Sequence, residues 1–493
     1  MEIRVREWQG MRMKRFSVIL ISALLTSAAA GARPARSTDT SNVSASVDSY
    51  VQAEMRRERI PGLALGVYRD GHIVRVQGYG LASVELDAPV KPETIFQSGS
   101  VGKQFTATAV MMLVEEGKVN LDDSISKYLA GAPDWWKAIQ VKNLLSHTSG
   151  LAEYESDERT KPGALFDLRL DHSEDELLKM IETLPREYAP GEKWVYRNTN
   201  YVLLGMLIHK VTGQFYGDFL QQRIFKPLGM TATRIISEAD IVPGRSAGYR
   251  LVHGELKNQE WVAPTFNSTA DGALYFNVLD LAKWDAALYT QKLISKSSLD
   301  RMWTVFLLND GKPNPGHYGF AWRIDDPSGH RVIEHGGAWQ GFTTYIARYV
   351  DDRLTVVVLT NLDAAHSRPG RIAHVVAGLY DPALVPPRPA AIEDTEPRVT
   401  SFLRETLQKI SDGKADPDAF TPDLRSRLFP DLIEDVRDSL KQLGPLESLE
   451  LLERKQDGSD RTFRYRAKFR ETEREFVFHL TPDGKIASLR SED

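Results

Sequence analysis

The chain reads Phe-Gln-Ser-Gly-Ser-Val-Gly-Lys-Gln-Phe over residues 96–105, just before a long apolar stretch. Ser100 and Lys103 stand three positions apart, so on a helix their side chains lie side by side. A serine hydroxyl becomes a good nucleophile when a neighbouring group takes its proton, and a lysine in a desolvated pocket can do so. The start of a helix also favours a developing anion. This stretch therefore predicts a nucleophilic serine with a lysine partner.

The same Ser-x-x-Lys spacing occurs at two other places, so the spacing alone does not identify a site. Ser124 and Lys127 follow two aspartates in a polar stretch, and Ser411 and Lys414 belong to Ser-Asp-Gly-Lys, a turn composition. In such places a capping serine and a solvated lysine are the ordinary interpretation. Only further motifs can distinguish Ser100 from these.

The composition is that of a globular protein with two or three domains. The chain has 493 residues, of which 42% are hydrophobic and 26% charged. A formal net charge of -5 gives no basic surface, so we expect no nucleic-acid partner. The absence of cysteine excludes disulfides and thiolate metal sites. No His-Glu-x-x-His sequence occurs, and we predict neither a metal nor a cofactor.

The first 32 residues predict a secretory signal peptide. Basic residues at 12, 14 and 15 precede an apolar run over residues 16–25, and small residues follow at 28–32. We expect cleavage after Ala32 and a periplasmic or secreted bacterial protein. The alternative is that this segment stays uncleaved as an N-terminal anchor, and we expect no other association with a membrane.

The order of predicted elements indicates an α+β fold over residues 45–380. Two apolar runs around Asp70-Gly71 predict a β-hairpin, and an antiparallel meander is predicted over residues 319–359. Residues 100–310 between them read as mostly helical. The hairpin and the meander would complete one antiparallel sheet, with the helical region inserted beside it.

A second, smaller unit is predicted at the end of the chain. Prolines between residues 381 and 397 indicate a stiff linker. Residues 398–493 then read as two helical stretches, 399–411 and 430–443, followed by four strands. This order suggests a small α+β, cone-like domain of the nuclear-transport-factor type, with no catalytic constellation.

Two more triplets carry possible chemistry. Tyr196-x-Asn198 precedes a helix; a tyrosine whose pKa is lowered by a nearby lysine can shuttle a proton, and Asn198 can bridge the substrate and the lysine. In the segment from residue 334 to 338, His335-x-Gly337 lets a substrate backbone approach closely, and the N–H of Ala338 with that of the serine would form an oxyanion hole. A packed tyrosine and a structural histidine are the alternatives.

The order of these triplets resembles that of the serine β-lactamase-like superfamily, in its class C-type branch of esterases, D-aminopeptidases and D,D-peptidases. Four further segments fit the resemblance: residues 144–151, 227–230, 280–284 and 358–361. The resemblance implies a two-lobed fold over residues 45–380. It also implies that Ser100 is the acylated nucleophile, that Lys103 and Tyr196 share the proton transfer, and that Asn198 positions the substrate. His147, within the first of these segments, we interpret as structural.

The sequence departs from the resemblance at two positions. Lactamases of this branch carry Lys-Thr-Gly where this chain has His335-Gly336-Gly337, and histidine is neutral over much of the range near pH 7. Substrates with a carboxylate, such as penicillins, are thereby disfavoured, and esters, amides or N-terminal D-residues are favoured. Arg197 either supplies the missing charge or points to solvent.

The sequence therefore predicts a secreted serine hydrolase that cleaves small ester or amide substrates through an acyl-enzyme. One alternative is a D-aminopeptidase, D,D-peptidase or β-lactamase acting on cell-wall-type peptides or lactams. Another is a non-catalytic ligand sensor with the same fold. Substrate-binding roles are expected for Asn198, His335, Gly337 and Ala338.

Overall fold

A computed structural model describes residues 40–129, 131–364, 366–430, 432–470 and 472–492. The predicted signal peptide lies outside the described residues. Within these ranges, no helix combines the length and apolar character needed to cross a membrane.

The described residues form helices and strands in alternating groups. The strands are β1 Gly62–Arg69, β2 His72–Ser83, β3 Ala88–Pro89, β4 Phe96–Gln97, β5 Arg234–Ile235, β6 Tyr249–Val252, β7 Glu255–Asn258, β8 Leu274–Phe276, β9 Arg323–Asp325, β10 Val332–Trp339, β11 Phe342–Tyr349, β12 Leu354–Thr360, β13 Leu446–Asp457, β14 Asp460–Phe469, β15 Glu473–Leu480 and β16 Ile486–Glu492. The helices are α1 Thr40–Glu58, α2 Lys103–Glu115, α3 Val141–Leu145, α4 Asp157–Thr160, α5 Glu174–Glu182, α6 Asn198–Thr212, α7 Tyr216–Leu220, α8 Lys226–Leu228, α9 Val278–Leu288, α10 Lys296–Met302, α11 Pro369–Tyr380, α12 Pro397–Ser411, α13 Pro422–Leu428 and α14 Leu432–Gln442.

The main sheet has seven strands in the order β3-β2-β1-β12-β11-β10-β9, all antiparallel to their neighbours. The first hairpin and the late meander therefore complete one sheet, and the α+β prediction is confirmed. Strands β1 and β12 at the centre of the sheet are buried on both faces, because α1 and α11 cover one face and the helical region covers the other. Leu65 and Val356 pack towards α1 and α11, whereas Ala64 and Val357 belong to the core shared with the helical region.

The helical region surrounds α2, whose residues 103–113 are all buried. A helix that is apolar on every side is stable only inside a protein core; here α6 and α7 pack beside α2, and Phe105 lies 5.4 Å from Phe225 and 4.3 Å from Trp284 between ring centroids. The middle of the chain was predicted to be mostly helical, and the short strands β5 to β8 were not predicted. These strands have two to four residues each, too few for a periodic pattern.

The C-terminal residues form a four-stranded antiparallel meander, β13-β14-β15-β16, preceded by α12, α13 and α14. Leu403 and Leu407 of α12 pack on Phe463 and Phe478 of the sheet. The helix predicted over residues 430–443 is α14, and α13 before it was not predicted. That residues 398–493 fold as a separate domain stays a prediction.

Candidate active site

Ser100 lies in a single 3₁₀ turn, Gly99–Gly102, that runs directly into α2. Lys103 is fully buried, and its Nζ donates a hydrogen bond of 2.8 Å to Ser100 Oγ. The predicted contact between the two side chains is therefore present. Ser98 holds the turn in place, because its Oγ donates to Gly272 O at 2.6 Å and its carbonyl accepts from Thr344 Oγ1 at 2.6 Å.

Lys103 uses all three N–H bonds of its ammonium group. Besides Ser100 Oγ, it donates to Asn198 Oδ1 at 2.7 Å and to the backbone carbonyl of Asp271. Its Nζ also lies 5.0 Å from the ring centroid of Tyr196 and 5.5 Å from that of Tyr201. The lysine is thus held on the serine by neutral oxygens and aromatic faces.

Tyr196 lies just before α6 with its ring over Lys103. Its hydroxyl is buried and has no partner at hydrogen-bonding geometry among the described residues, although Ser100 and Lys103 are close enough to lower its pKa. Burial is the larger effect, and the pKa of Tyr196 is raised. The expectation of a lowered pKa was wrong, because it counted the charge of the lysine and not the loss of solvent.

The ring of His147 packs against that of Tyr196, with 4.2 Å between the ring centroids and 38° between the ring planes. Its Nδ1 accepts hydrogen bonds from the backbone N–H of Arg197 at 3.3 Å and from Asn200 Nδ2 at 3.2 Å. Burial and the nearby Lys103 lower its pKa well below the usual value, so the ring is neutral. These contacts fit the structural role expected for His147.

His335 on β10 is a neutral ring. Its Nδ1 lies 2.6 Å from Gly336 O and therefore donates, so Nε2 accepts from the Tyr318 hydroxyl at 2.8 Å. Burial, reinforced by Lys103, lowers the pKa of His335 to about 3. Tyr318 was missed by the sequence analysis, since nothing in its local sequence indicates a contact with β10.

Strand β10 packs directly against the turn of Ser100. A Cβ added at Gly99 would lie 2.3 Å from Ala338 N, and one added at Gly337 would lie 2.9 Å from Ser100 N. Only glycine allows this approach, and at Gly99 the φ of 48° also favours it. The backbones of Ser100 and Ala338 are therefore neighbours, as an oxyanion hole requires.

Two carboxylates of the loop before α4 complete the site. Asn198 Nδ2 donates to Glu155 Oε2 at 2.7 Å, and the backbone N–H of Asn198 donates to Glu153 Oε2 at 2.6 Å. Burial, followed by repulsion from Asp271 and Glu153, raises the pKa of Glu155 to about 8. Neither glutamate was predicted, because the loop that carries them has no interpretable sequence pattern.

Ser100 opens onto a narrow cleft. The cleft is lined by Gly99, Ser100, Tyr154, Glu155, Asn198, Phe266, Thr269, Asp271, Gly272, Ala273, Ala338 and Trp339. A wider surface depression lies between α1 and β2, but the nucleophile is at the smaller cleft, and we place the chemistry there.

Of the predicted site residues, Ser100, Asn198 and Ala338 line the cleft, whereas Lys103, Tyr196, His335 and Gly337 lie beside it. The ring of His335 lies 6.1 Å from that of Tyr196 and turns towards Tyr318. Arg197 pairs with Glu187, with 2.8 Å between Nη2 and Oε2. Arg197 thus supplies no charge to the cleft, which answers the question left open by the sequence. Across the described ranges, no group of three or more His, Asp or Glu side chains could hold a metal ion.

This arrangement, a serine and a buried lysine on one helical segment beside an antiparallel sheet, defines a serine hydrolase with the class C β-lactamase fold. The β-lactamase family model matches residues 47–379, and the chain belongs to the β-lactamase family. Penicillin-binding protein 4* of Bacillus subtilis is 31% identical in an alignment over 342 residues that covers 65% of this chain and 73% of that protein. A D-aminopeptidase of Gluconobacter oxydans is 25% identical over 406 residues, 81% of this chain and 74% of that one.

Solved structures agree with this assignment. A D-stereospecific amidohydrolase from Streptomyces superposes with a TM-score of 0.58 at 28% identity, covering 69% of this chain and 98% of the other. The octameric penicillin-binding protein homologue from Pyrococcus abyssi superposes with a TM-score of 0.62 at 24% identity, and the match covers 91% of this chain and 96% of that one. This similarity shows that the two proteins share a fold.

Proposed function

We propose that the chain is a secreted enzyme that cleaves ester or amide bonds through an acyl-enzyme on Ser100. The observation that carries the proposal is the 2.8 Å hydrogen bond between Lys103 Nζ and Ser100 Oγ beneath the buried ring of Tyr196. Secretion rests on the signal-peptide pattern of residues 1–32 alone.

In the proposed mechanism, Lys103 first gives up one ammonium proton to solvent. The free amine, together with Tyr196, then takes the proton from Ser100 as Oγ attacks the substrate carbonyl. The N–H groups of Ser100 and Ala338 stabilise the oxyanion. The proton then passes to the leaving group, and a water molecule releases the acyl group by the reverse steps. Asn198 holds Lys103 in place throughout.

A D-aminopeptidase-type reaction is the second candidate. It is favoured by the charges of the site: His335 is neutral, and Arg197 is paired with Glu187 away from the cleft. A D,D-peptidase or β-lactamase must recognise a substrate carboxylate, for which neither residue provides a cation. The relative from Gluconobacter is named a D-aminopeptidase. A non-catalytic sensor would be acylated once without turnover.

The test is intact mass after exposure to a fluorophosphonate and, separately, to penicillin, together with p-nitrophenyl acetate turnover. We expect a fluorophosphonate adduct on Ser100 with steady ester turnover, and loss of both in Ser100→Ala. Ser124→Ala is the matched control, because Ser124 begins the second Ser-x-x-Lys sequence and does not line the cleft. Its Oγ caps a turn by accepting from Ser126 N and donates to Trp136 O at 3.4 Å. Full turnover in Ser100→Ala would end the proposal, and a stable adduct without turnover would favour the sensor.

A further inference from the structure

One of the three oxygens that hold Lys103 belongs to a short backbone segment, residues 269–272, which packs against the turn of Ser100. The other carbonyls of this segment accept hydrogen bonds from buried side chains: Thr269 O from the Tyr216 hydroxyl at 2.7 Å, Ala270 O from Thr106 Oγ1 at 2.8 Å and Gly272 O from Ser98 Oγ at 2.6 Å. Asp271 O lies among them and accepts from Lys103 Nζ. The position of the lysine therefore depends on the position of this segment.

The side chain of Asp271 is anchored by Tyr154. The Tyr154 hydroxyl donates to Asp271 Oδ2 at 3.0 Å, and both side chains are buried. Burial, followed by the charge of Asp271, raises the pKa of Tyr154 well above its ordinary value, so the hydroxyl keeps the proton that it donates. The tyrosine ring is itself held, because it lies 5.8 Å from the ring of Phe166 and within 10° of parallel to that of Phe266.

Tyr154 also contacts the element that carries a second acceptor of the lysine. Its backbone N–H donates to Thr199 Oγ1 at 2.9 Å, and Thr199 follows Asn198 at the start of α6. Asn198 Oδ1 and Asp271 O are the two acceptors of Lys103 that take no part in bond formation. Tyr154 therefore joins the two elements on which the position of the lysine depends.

From these contacts we infer that Tyr154 is a positioning residue: through its hydrogen bond to Asp271 it holds the carbonyl that keeps Lys103 on Ser100. The inference rests on the acyl-enzyme proposed above. Without the hydroxyl, a buried carboxylate oxygen loses its donor, and the side chain of Asp271 must turn towards another. Because the carboxylate and the carbonyl belong to one residue, a shift of the first moves the second. A misplacement of about 1 Å costs about 100-fold in rate.

The test is Tyr154→Phe, which removes the hydroxyl and keeps the ring. Two quantities are measured: the rate of covalent labelling of Ser100 by a fluorophosphonate, and kcat for p-nitrophenyl acetate. We expect both to fall by about tenfold or more. KM should stay within about threefold of the wild-type value, because the ring still forms the same part of the cleft wall. Wild-type values of both quantities in the folded variant would overturn the inference and leave the acyl-enzyme on Ser100 intact.

Tyr216→Phe is the matched control. It removes a buried tyrosine hydroxyl that binds the same segment two residues before Asp271, and this hydroxyl contacts no acceptor of Lys103. The labelling rate and kcat should both stay within about threefold of the wild type. Equal falls in the two tyrosine variants would show that only the general stiffness of the segment matters, and would overturn the specific role of Tyr154.

Variants of Asp271 test the same hydrogen bond even where Tyr154→Phe fails to fold. Asp271→Ala removes the acceptor of the tyrosine hydroxyl, whereas Asp271→Asn keeps an amide oxygen that can accept from it. We expect the labelling rate and kcat to be at least about fivefold higher in Asp271→Asn than in Asp271→Ala. Tyr154→Phe combined with Asp271→Ala should be no slower than Asp271→Ala alone, because both changes break one hydrogen bond. Equal rates in the two Asp271 variants, or falls that multiply in the double variant, would contradict the inference.

Discussion

Gly337→Ala tests whether β10 must touch the turn of Ser100 for catalysis. A Cβ at residue 337 would lie 2.2 Å from Ser98 O and 2.6 Å from Thr344 Oγ1. Since Cβ contacts under 3.0 Å are essentially never found, the strand and the turn would have to part by about 0.8 Å or more. A misplacement of about 1 Å costs about 100-fold in rate, and losing one oxyanion-hole donor costs about 100- to 1,000-fold. We therefore expect kcat/KM for p-nitrophenyl acetate to fall by at least about 100-fold.

Gly336→Ala is the matched control on the same strand. Its Cβ would meet the ring of Tyr345 at 3.2 Å and 3.4 Å, which a small ring movement can relieve, and Thr344 O at 3.8 Å, an ordinary contact distance. We expect kcat/KM within about threefold of the wild type. Circular dichroism and thermal melting would establish that both variants fold. A folded Gly337→Ala enzyme with wild-type kcat/KM would refute the oxyanion hole assigned to Ser100 and Ala338.

Four other predictions concern catalysis, stability and the extent of the catalytic domain. Tyr196→Phe should lower kcat by about 100-fold or more. Its free energy of unfolding in urea should stay within about 1 kcal/mol of the wild-type value, because the Tyr196 hydroxyl has no hydrogen-bond partner in the part of the chain that the structure describes. Tyr318→Phe should lower the free energy of unfolding by about 1–3 kcal/mol, because it leaves His335 Nε2 unpaired. When the pH is lowered from 7 to 5, the wild type should lose about 2 kcal/mol more stability than His335→Gln. The reason is that the pKa of His335 falls from 6.5 to about 3 on folding. Between pH 7 and pH 5, His335 therefore binds a proton in the unfolded chain and not in the folded one. Residues 40–380 expressed alone should fold and hydrolyse p-nitrophenyl acetate; an insoluble or inactive product would contradict the separate C-terminal domain.

The parts of the site that depend on local geometry could be predicted from the sequence alone. Ser100 and Lys103 meet because three positions on one helical segment always bring side chains together. Glu155 and Tyr318 reach the site through loops whose path depends on the whole fold, and no local pattern marks them. The pKa of Tyr196 was predicted in the wrong direction for a related reason: the charge of a lysine can be read from a sequence, but the loss of solvent cannot.

The charges around the cleft also bear on penicillin and on peptides with a free carboxyl terminus. Two like charges about 4 Å apart repel by about 4 kcal/mol at an effective dielectric constant of 20, and a substrate carboxylate in this cleft would lie near Glu155 and Asp271. Lys103 offers a substrate carboxylate no free N–H group, because its three N–H bonds are already used. Glu155 can avoid the repulsion by staying protonated, since its pKa is about 8, but it then contributes no attraction. The described lining of the cleft includes no cation that could bind a substrate carboxylate. We therefore expect penicillin to form an adduct slowly or not at all.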